Sequence, residues 1–268
     1  MAMYTRETLE KISEIVQHEL EAKHWGTVAP GNSPSGAKRF YIFDYRGLGL
    51  VTGIYRYKLK DDPVAFFYRG QVKDYPVSAS LFRKATNKRD CMSAITWEQE
   101  ILSELKPLFD PRGTDDEREA LAQHYGLHTR FIDIADNIQT AIWFAYDWQR
   151  KICEQYDDGV GYISILGIPT DDGGTIIDLR KKPSQWLRPH VQQAFVYRAK
   201  EPQKEKGCIN RFHMATLIIP RSLMREWSNY GCLGHEIFYP PATYDAGLRF
   251  WLEAKKELEK KGFNLQKF

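Results

Sequence analysis

The residues most able to do chemistry fall in two short blocks. The first is Phe67-Tyr68-Arg69-Gly70-Gln71, in which Arg69 directly follows an apolar run. A guanidinium at the end of a buried strand suits bidentate contact with a phosphate or carboxylate. Gly70 behind it would let the backbone approach a ligand closely. The structural alternative is an arginine that caps carbonyls or pairs with Asp133. The second block is Gln123-His124-Tyr125-Gly126, followed by Thr129-Arg130-Phe131-Ile132-Asp133. Three hydrogen-bonding side chains in a row cannot share one helix face, so a turn at Gly126 must splay them. His124 and His128 are spaced as in a zinc-binding helix, but the Glu of HExxH is absent and a glycine intervenes. A lone histidine beside apolar residues is more often structural than catalytic. On a strand, Asp133 shares a face with Phe131 and Thr129, and a carboxylate in such surroundings needs a partner.

No glycine-rich dinucleotide fingerprint, P-loop, nucleophile elbow or paired Cys/His pattern occurs. Most hydride-transfer, P-loop and α/β-hydrolase chemistry is thereby disfavoured. A site of Arg, Gln, His, Tyr, Thr and Asp suits a polar, phosphorylated ligand.

The elements that must position these groups follow from periodicity. Residues 5–23 read as an amphipathic helix opened by Thr5, and 29–37 as a loop. Segments 41–45 and 48–55 read as short strands about an Arg46-Gly47 turn, and 64–68 as a strand leading into Arg69. Helices are predicted over 93–109 and from Asp115 to Gln123, then a strand over 129–134 and a helix over 137–152. The second half reads as strands at 160–166, 175–179, 194–197, 214–219 and 236–239, closed by a helix over about 243–261. Helices early and strands late imply α+β, a mixed or antiparallel β core flanked by helices, rather than alternating βαβ.

The 268 residues are 43% hydrophobic and 27% charged, which fits an ordered globular chain. A net charge of +3 is too small to argue for nucleic acid or membrane. Aromatics at 13% fill a core or line a cleft. Cys91, Cys153, Cys208 and Cys232 are widely spaced, so no metal site is expected and the thiols are read as free, in a cytoplasmic setting. Apolar runs are far short of the ~20 residues that cross a bilayer.

The two blocks resemble the FRG domain, a bacterial and phage family named for an aromatic-Arg-Gly motif. Phe67-Tyr-Arg-Gly-Gln71 is followed by Tyr75-Pro-Val-Ser-Ala-Ser-Leu-Phe-Arg83, then by Gln123-His-Tyr-Gly126, Thr129-Arg-Phe-Ile-Asp133 and Ala141-Ile-Trp-Phe-Ala145. A third block is similar to Arg188 and Gln192-Gln193-Ala194, and a Phe-Pro segment to Phe238-Tyr-Pro-Pro241. The family's Trp-Thr after the Asp is Ile134-Ala135 here, and its Gly after Gln-Gln is Ala194. On this resemblance residues 1–60 are an N-terminal extension, a helix plus short strands packed on the core, and 61–268 the FRG-type domain.

The motif order is also similar to that of ADP-ribosyltransferases, which implies a split-sheet fold and NAD as substrate. Arg69 would then hold NAD, with Tyr68, Gly70, Gln71, Gln123, Thr129, Arg130, Asp133 and Gln193 around it. His124, Tyr125 and Glu236 would serve catalysis, Glu236 from a strand as the carboxylate, with Gln193 as the alternative. The expected partners are a nucleotide ligand and a protein or nucleic-acid acceptor, in toxin or phage-defence biology, with no membrane. Two other readings stand beside it: a non-enzymatic nucleotide- or protein-recognition module, and a phosphodiesterase or nuclease using His124 with Asp133.

Overall fold

The computed structural model describes residues 4–108, 113–146, 159–201, 209–229 and 235–265. The chain divides into two compact units, and helices and strands are numbered here along the whole chain. Residues Met1–Val77, Ala135–Asp172 and Asn210–Gly234 make the first unit. Ser78–Ile134, Gly173–Ile209 and His235–Phe268 make the second. Residues 1–60 are thus part of a unit that also draws on the middle of the chain.

The first unit holds α1 (Arg6–Ala22), β1 (Gly26–Val28), β2 (Lys38–Ile42), α2 (Tyr45–Lys58) and β3 (Val64–Gln71). It is completed by α5 (Ile138–Tyr146), β5 (Val160–Pro169), β8 (His213–Pro220) and α7 (Arg221–Asn229). Its strand order is β1-β2-β8-β5-β3. β2 runs parallel to β8 while the other pairs are antiparallel, so the sheet is mixed. In β3 the register sets Arg69 opposite Ser164 and Gly70 opposite Ile163. Phe40, Ile42, Leu48, Val51, Tyr55, Ile163, Ile165 and Leu217 are buried in its core. The α+β class expected from sequence is the one found.

Residues 48–55 are helical, not a strand. Asp44 caps α2 by accepting from the Arg46 amide at 2.8 Å. Leu48, Val51 and Tyr55 then fall on one buried face, and the Tyr55 hydroxyl meets Ser13 of α1 at 2.8 Å. The spacing of i, i+3 and i+7 outweighs the β preference of Val, Ile and Tyr, because burial rewards the face rather than the residue type.

The second unit holds α3 (Lys88–Leu105), α4 (Asp115–His124), β4 (Ile132–Ala135, whose last residue lies in the first unit) and β6 (Thr175–Asp178). It continues with α6 (Leu187–Val191), β7 (Ala194–Arg198), α8 (His235–Phe238) and α9 (Ala246–Lys260). β7 lies between β4 and β6, antiparallel to β6. The expected strand over 236–239 is instead the short helix α8, so Glu236 is not on a strand. The predicted helix over 137–152 is found over Ile138–Tyr146, and residues 147–152 lie outside those described.

Cys91 is buried on α3, and the other three cysteines lie outside the described residues. Among the described residues, no helix is long and apolar enough to cross a membrane.

Candidate functional site

Helix α4 starts with a reciprocal cap. The Thr114 hydroxyl accepts from the Glu117 amide, and the Glu117 carboxylate accepts from the Thr114 amide at 2.9 Å. It ends at Gly126, whose φ of +109° favours glycine on backbone grounds alone, because nothing lies within 4 Å of its Cβ position. The Gly126 amide donates to Gln123 O at 2.9 Å and the Leu127 amide to Ala122 O at 3.0 Å. This turn sends the three preceding side chains to three different partners.

Gln123 donates from Nε2 to Asp133 Oδ1 at 2.7 Å, and its Oε1 accepts from the buried Thr129 hydroxyl. His124 meets Gln192 Oε1 through Nδ1 at 3.2 Å. The Gln192 amide is oriented by its own bond from Nε2 to Phe238 O at 2.7 Å, so Nδ1 of His124 is the donor. The other imidazole nitrogen, Nε2, then carries a lone pair. It lies 3.5 Å from Asp133 Oδ1, beyond ordinary hydrogen-bond length. Burial pushes the His124 pKa below its usual value, although Asp133 pulls the other way. His124 is therefore neutral at pH 7, and its side chain is only 5% exposed.

Tyr125 donates to Asp245 Oδ1 and Oδ2 at 2.9 and 3.0 Å. Asp245 is fully buried and caps α9, accepting from the Leu248 amide at 3.1 Å. Burial, reinforced by Asp245, raises the Tyr125 pKa. Arg188 lies over the rings of Tyr125 and Tyr239, 4.9 Å from each, and donates to His124 O at 2.9 Å. The Tyr125 side chain so engaged is a brace between α4 and α9. Tyr125→Phe removes a donor from a buried carboxylate. The expected loss is about 1–3 kcal/mol, read as a lower thermal midpoint at pH 7; an unchanged midpoint would contradict the brace.

Arg130, expected on the ligand, is taken up internally. Its Nε lies 2.5 Å from Glu98 Oε2 and its Nη2 2.8 Å from Glu119 Oε2. Its amide donates to Glu98 Oε1 at 2.8 Å. Arg198 completes the cluster, reaching Glu119 at 3.0 Å and Asp116 at 2.7 Å. Burial, with Glu119 second, raises the Glu98 pKa well above its usual value.

Gln193 is exposed, with a φ of +50°; its neighbour Gln192 is the one buried in the network. Glu236 lies on α8. The structure thus connects Gln123, His124, Thr129 and Asp133, adds Gln192, and leaves Asp133 as the member whose carboxylate reaches solvent, 45% exposed. The adjacent pair Gln192-Gln193 and the Asp245 cap were visible in the sequence as signals, but which glutamine turns inward depends on the backbone after α6.

The other block belongs to the first unit. The Tyr68 hydroxyl accepts from Arg56 Nε at 3.2 Å and its ring is buried. Arg69, Gly70 and Gln71 are partly exposed along β3. Gly70 makes a close approach, but to helix α5 rather than to a ligand: a Cβ there would lie 1.8 Å from Ala141 O.

A cavity of about 540 Å³ opens in the second unit beside Tyr125 and Gly126. Arg83, Lys84, His128 and Lys255 supply its polar wall, and Trp251 and Leu265 its apolar one.

No curated protein and no solved structure matches the chain. Residues 64–152 match the FRG domain, and the match takes in both motif blocks. Over that stretch, which carries the aromatic-Arg-Gly strand, the glycine-ended helix with its Gln-His-Tyr, and Asp133, the chain is similar to the FRG domain.

Proposed function

We propose that this chain cleaves the N-glycosidic bond of NAD, as an ADP-ribosyltransferase or NAD glycohydrolase, with Asp133 as the carboxylate that steadies the reacting sugar. The observation that supports this reading is the state of Asp133. It is half-exposed, oriented by the Gln123 amide at 2.7 Å, and backed by the neutral imidazole of His124. When the bond from C1′ to the pyridinium nitrogen breaks, the electron pair leaves with nicotinamide. The ribose carbon becomes oxocarbenium-like, and a fixed carboxylate stabilises it electrostatically. Water or an acceptor hydroxyl then adds to C1′ and releases its proton. Glu236 was the carboxylate expected from sequence; Asp133 takes that role in this reading because its network is built to hold it.

The test is nicotinamide release from NAD by the purified chain, read by chromatography. Asp133→Asn keeps the shape and removes the charge, and is expected to lower the rate by at least about 100-fold, the scale of one lost electrostatic contact. Equal rates in Asp133→Asn, with an unchanged melting midpoint, would discard Asp133. No release by the wild-type chain would discard the enzyme.

A second reading, a recognition module that binds a nucleotide without turnover, is favoured by one observation. His124 through Nδ1, the Tyr125 hydroxyl, and the Arg130 and Arg188 guanidinium groups are each engaged by an internal partner. Stabilisation of the chain by NAD with no nicotinamide released would select it. The phosphodiesterase reading has less support, because His124 is enclosed and its Nδ1 is already donating to Gln192.

A further inference from the structure

β2 and β8 run parallel, with Lys38 opposite Ala215, so the turn before β2 and the first residue of β8 come to one edge of the sheet. That turn is Ser33-Pro34-Ser35-Gly36, with proline second and glycine fourth, as a tight turn favours. The Gly36 amide closes it by donating to Ser33 O at 2.8 Å, and Gly36 takes a φ of +82°. Ser35 is thereby held against His213, with its Oγ 2.7 Å from Nδ1. All of these residues belong to the first unit.

The far side of the imidazole sets the direction of the protons. Nε2 of His213 lies 2.9 Å from Ala215 O, and a carbonyl can only accept, so Nε2 carries the proton. Nδ1 then holds a lone pair and accepts from the Ser35 hydroxyl. Ser35 has one proton to give, so the Ser33 hydroxyl, 2.6 Å away, donates to Ser35 Oγ. His213 is buried, and burial pushes its pKa down to about 4, against the pull of the Ala215 carbonyl. The imidazole is therefore neutral at pH 7, with Nδ1 able to take a proton.

Ser35 and His213 line a cavity of about 350 Å³, at the lower end of small-ligand sites. Tyr4, Leu9 and Met214 give it an apolar wall. Arg6 supplies a cation beside the turn: its Nη2 lies 3.3 Å from where a Cβ on Gly36 would be. The ion pair of Arg6 with Glu10 runs through Nε, at 3.6 Å between exposed side chains, and such pairs are weak.

We propose that Ser35 and His213 form a nucleophile and base that hydrolyse a small carboxylic ester. Ser35 Oγ bonds to the carbonyl carbon as Nδ1 takes its proton. The alcohol oxygen then leaves with the electron pair of its bond to that carbon and receives the proton from Nδ1. Water adds to the acyl carbon, passing one proton through Nδ1 back to Ser35 Oγ as the carboxylic acid departs. Ser33 and Arg6 offset the negative charge that builds on oxygen in each step. The apolar wall suits a short acyl chain.

The bland alternative is a serine that only satisfies a buried imidazole, and it predicts an unreactive hydroxyl. A fluorophosphonate probe, which bonds to an activated serine oxygen with loss of fluoride, separates the two. Labelling of the full chain is located by peptide mass spectrometry. Ser35 is expected to react at least about 100-fold faster than Ser103 and Ser184, which are exposed on the same chain, the scale of one general base. p-Nitrophenyl acetate is expected to release p-nitrophenol. Ser35→Ala should lose both signals, and a melting curve establishes that it folds. His213→Gln should slow labelling of Ser35 about 100-fold. Because His213 is buried, the comparison of serines within the wild-type chain carries the test without that variant.

Labelling of Ser35 no faster than that of Ser103 and Ser184 would overturn the dyad, as would label placed on another serine. Label at Ser35 with no release of p-nitrophenol would overturn the ester reaction. Neither readout involves NAD, so the dyad stands or falls apart from Asp133.

Discussion

Gly70→Ala is expected to destroy the packed state of the first unit, at a cost above about 4 kcal/mol. Added at Gly70, a Cβ would sit 1.8 Å from Ala141 O, 2.8 Å from Ala141 C and 2.7 Å from Ala145 N. All three are backbone atoms of α5, so no rotamer change relieves the overlap. Ala141 and Ala145 are themselves buried and have the smallest side chains that a helix can set against a strand. Gly161 on β5 repeats the arrangement, with a Cβ position 2.7 Å from Ala145 O. The glycine of the aromatic-Arg-Gly motif and the alanines of Ala141-Ile-Trp-Phe-Ala145 are thus two halves of one contact between strand and helix. Circular dichroism melts and soluble yield read the result. A Gly70→Ala chain that melts within a few degrees of the wild type would show that α5 does not rest on β3.

Arg130→Met is expected to cost about 3–5 kcal/mol, the range seen when one partner of a buried ion pair is removed. Glu98 is fully enclosed, and it would lose the only cation whose contact with it is described. Glu119 would retain Arg198. The loss has a pH signature that a packing defect lacks. Glu98 already has a raised pKa in the folded chain, from burial first and Glu119 second, and removing Arg130 raises it further. A carboxyl whose folded pKa exceeds its unfolded one adds stability below the unfolded value and loses it as pH rises through the folded value. The deficit of Arg130→Met should therefore shrink as pH falls from 8 towards 5. Chemical denaturation at several pH values checks this, and a deficit constant over that window would mean that shape rather than charge is responsible. Glu98→Gln in the Arg130→Met background should recover part of the loss at pH 8, since it removes the stranded charge.

These two variants also separate what the motif residues do. Gly70 and Arg130 belong to the most recognisable part of the chain, and both act on folding. Asp133 is the residue whose replacement is expected to change chemistry while leaving the fold intact.

Much of the architecture was legible in the amino-acid order. Leu9, Ile12, Val16 and Leu20 announce α1, the acidic residues from Asp115 mark the first turn of α4, and Gly126 its end. These signals are local: a helix face, a cap and a left-handed turn depend on residues within one or two turns of each other. The strands over 160–169 and 213–220 were legible because both are buried and apolar almost throughout. Residues 48–55 form a helix instead of the expected strand because β-branched and aromatic residues suit either element, and packing on α1 decides between them.

The site divides in the same way. From sequence alone, Gln123, His124, Thr129 and Asp133 could be placed near one another, since a tight turn joins their two segments. Tertiary structure decided what each does. It matched Arg130 with Glu98, 32 positions away, and Tyr125 with Asp245, 120 positions away. It chose Gln192 over Gln193 by turning one inward, and it gathered Arg83, His128 and Lys255 around one cavity. The physical reason is that hydrogen-bonding and charged side chains carry no record of their partners. A helix cap is satisfied within its own turn, whereas a buried guanidinium or carboxylate is satisfied by whatever the fold brings against it.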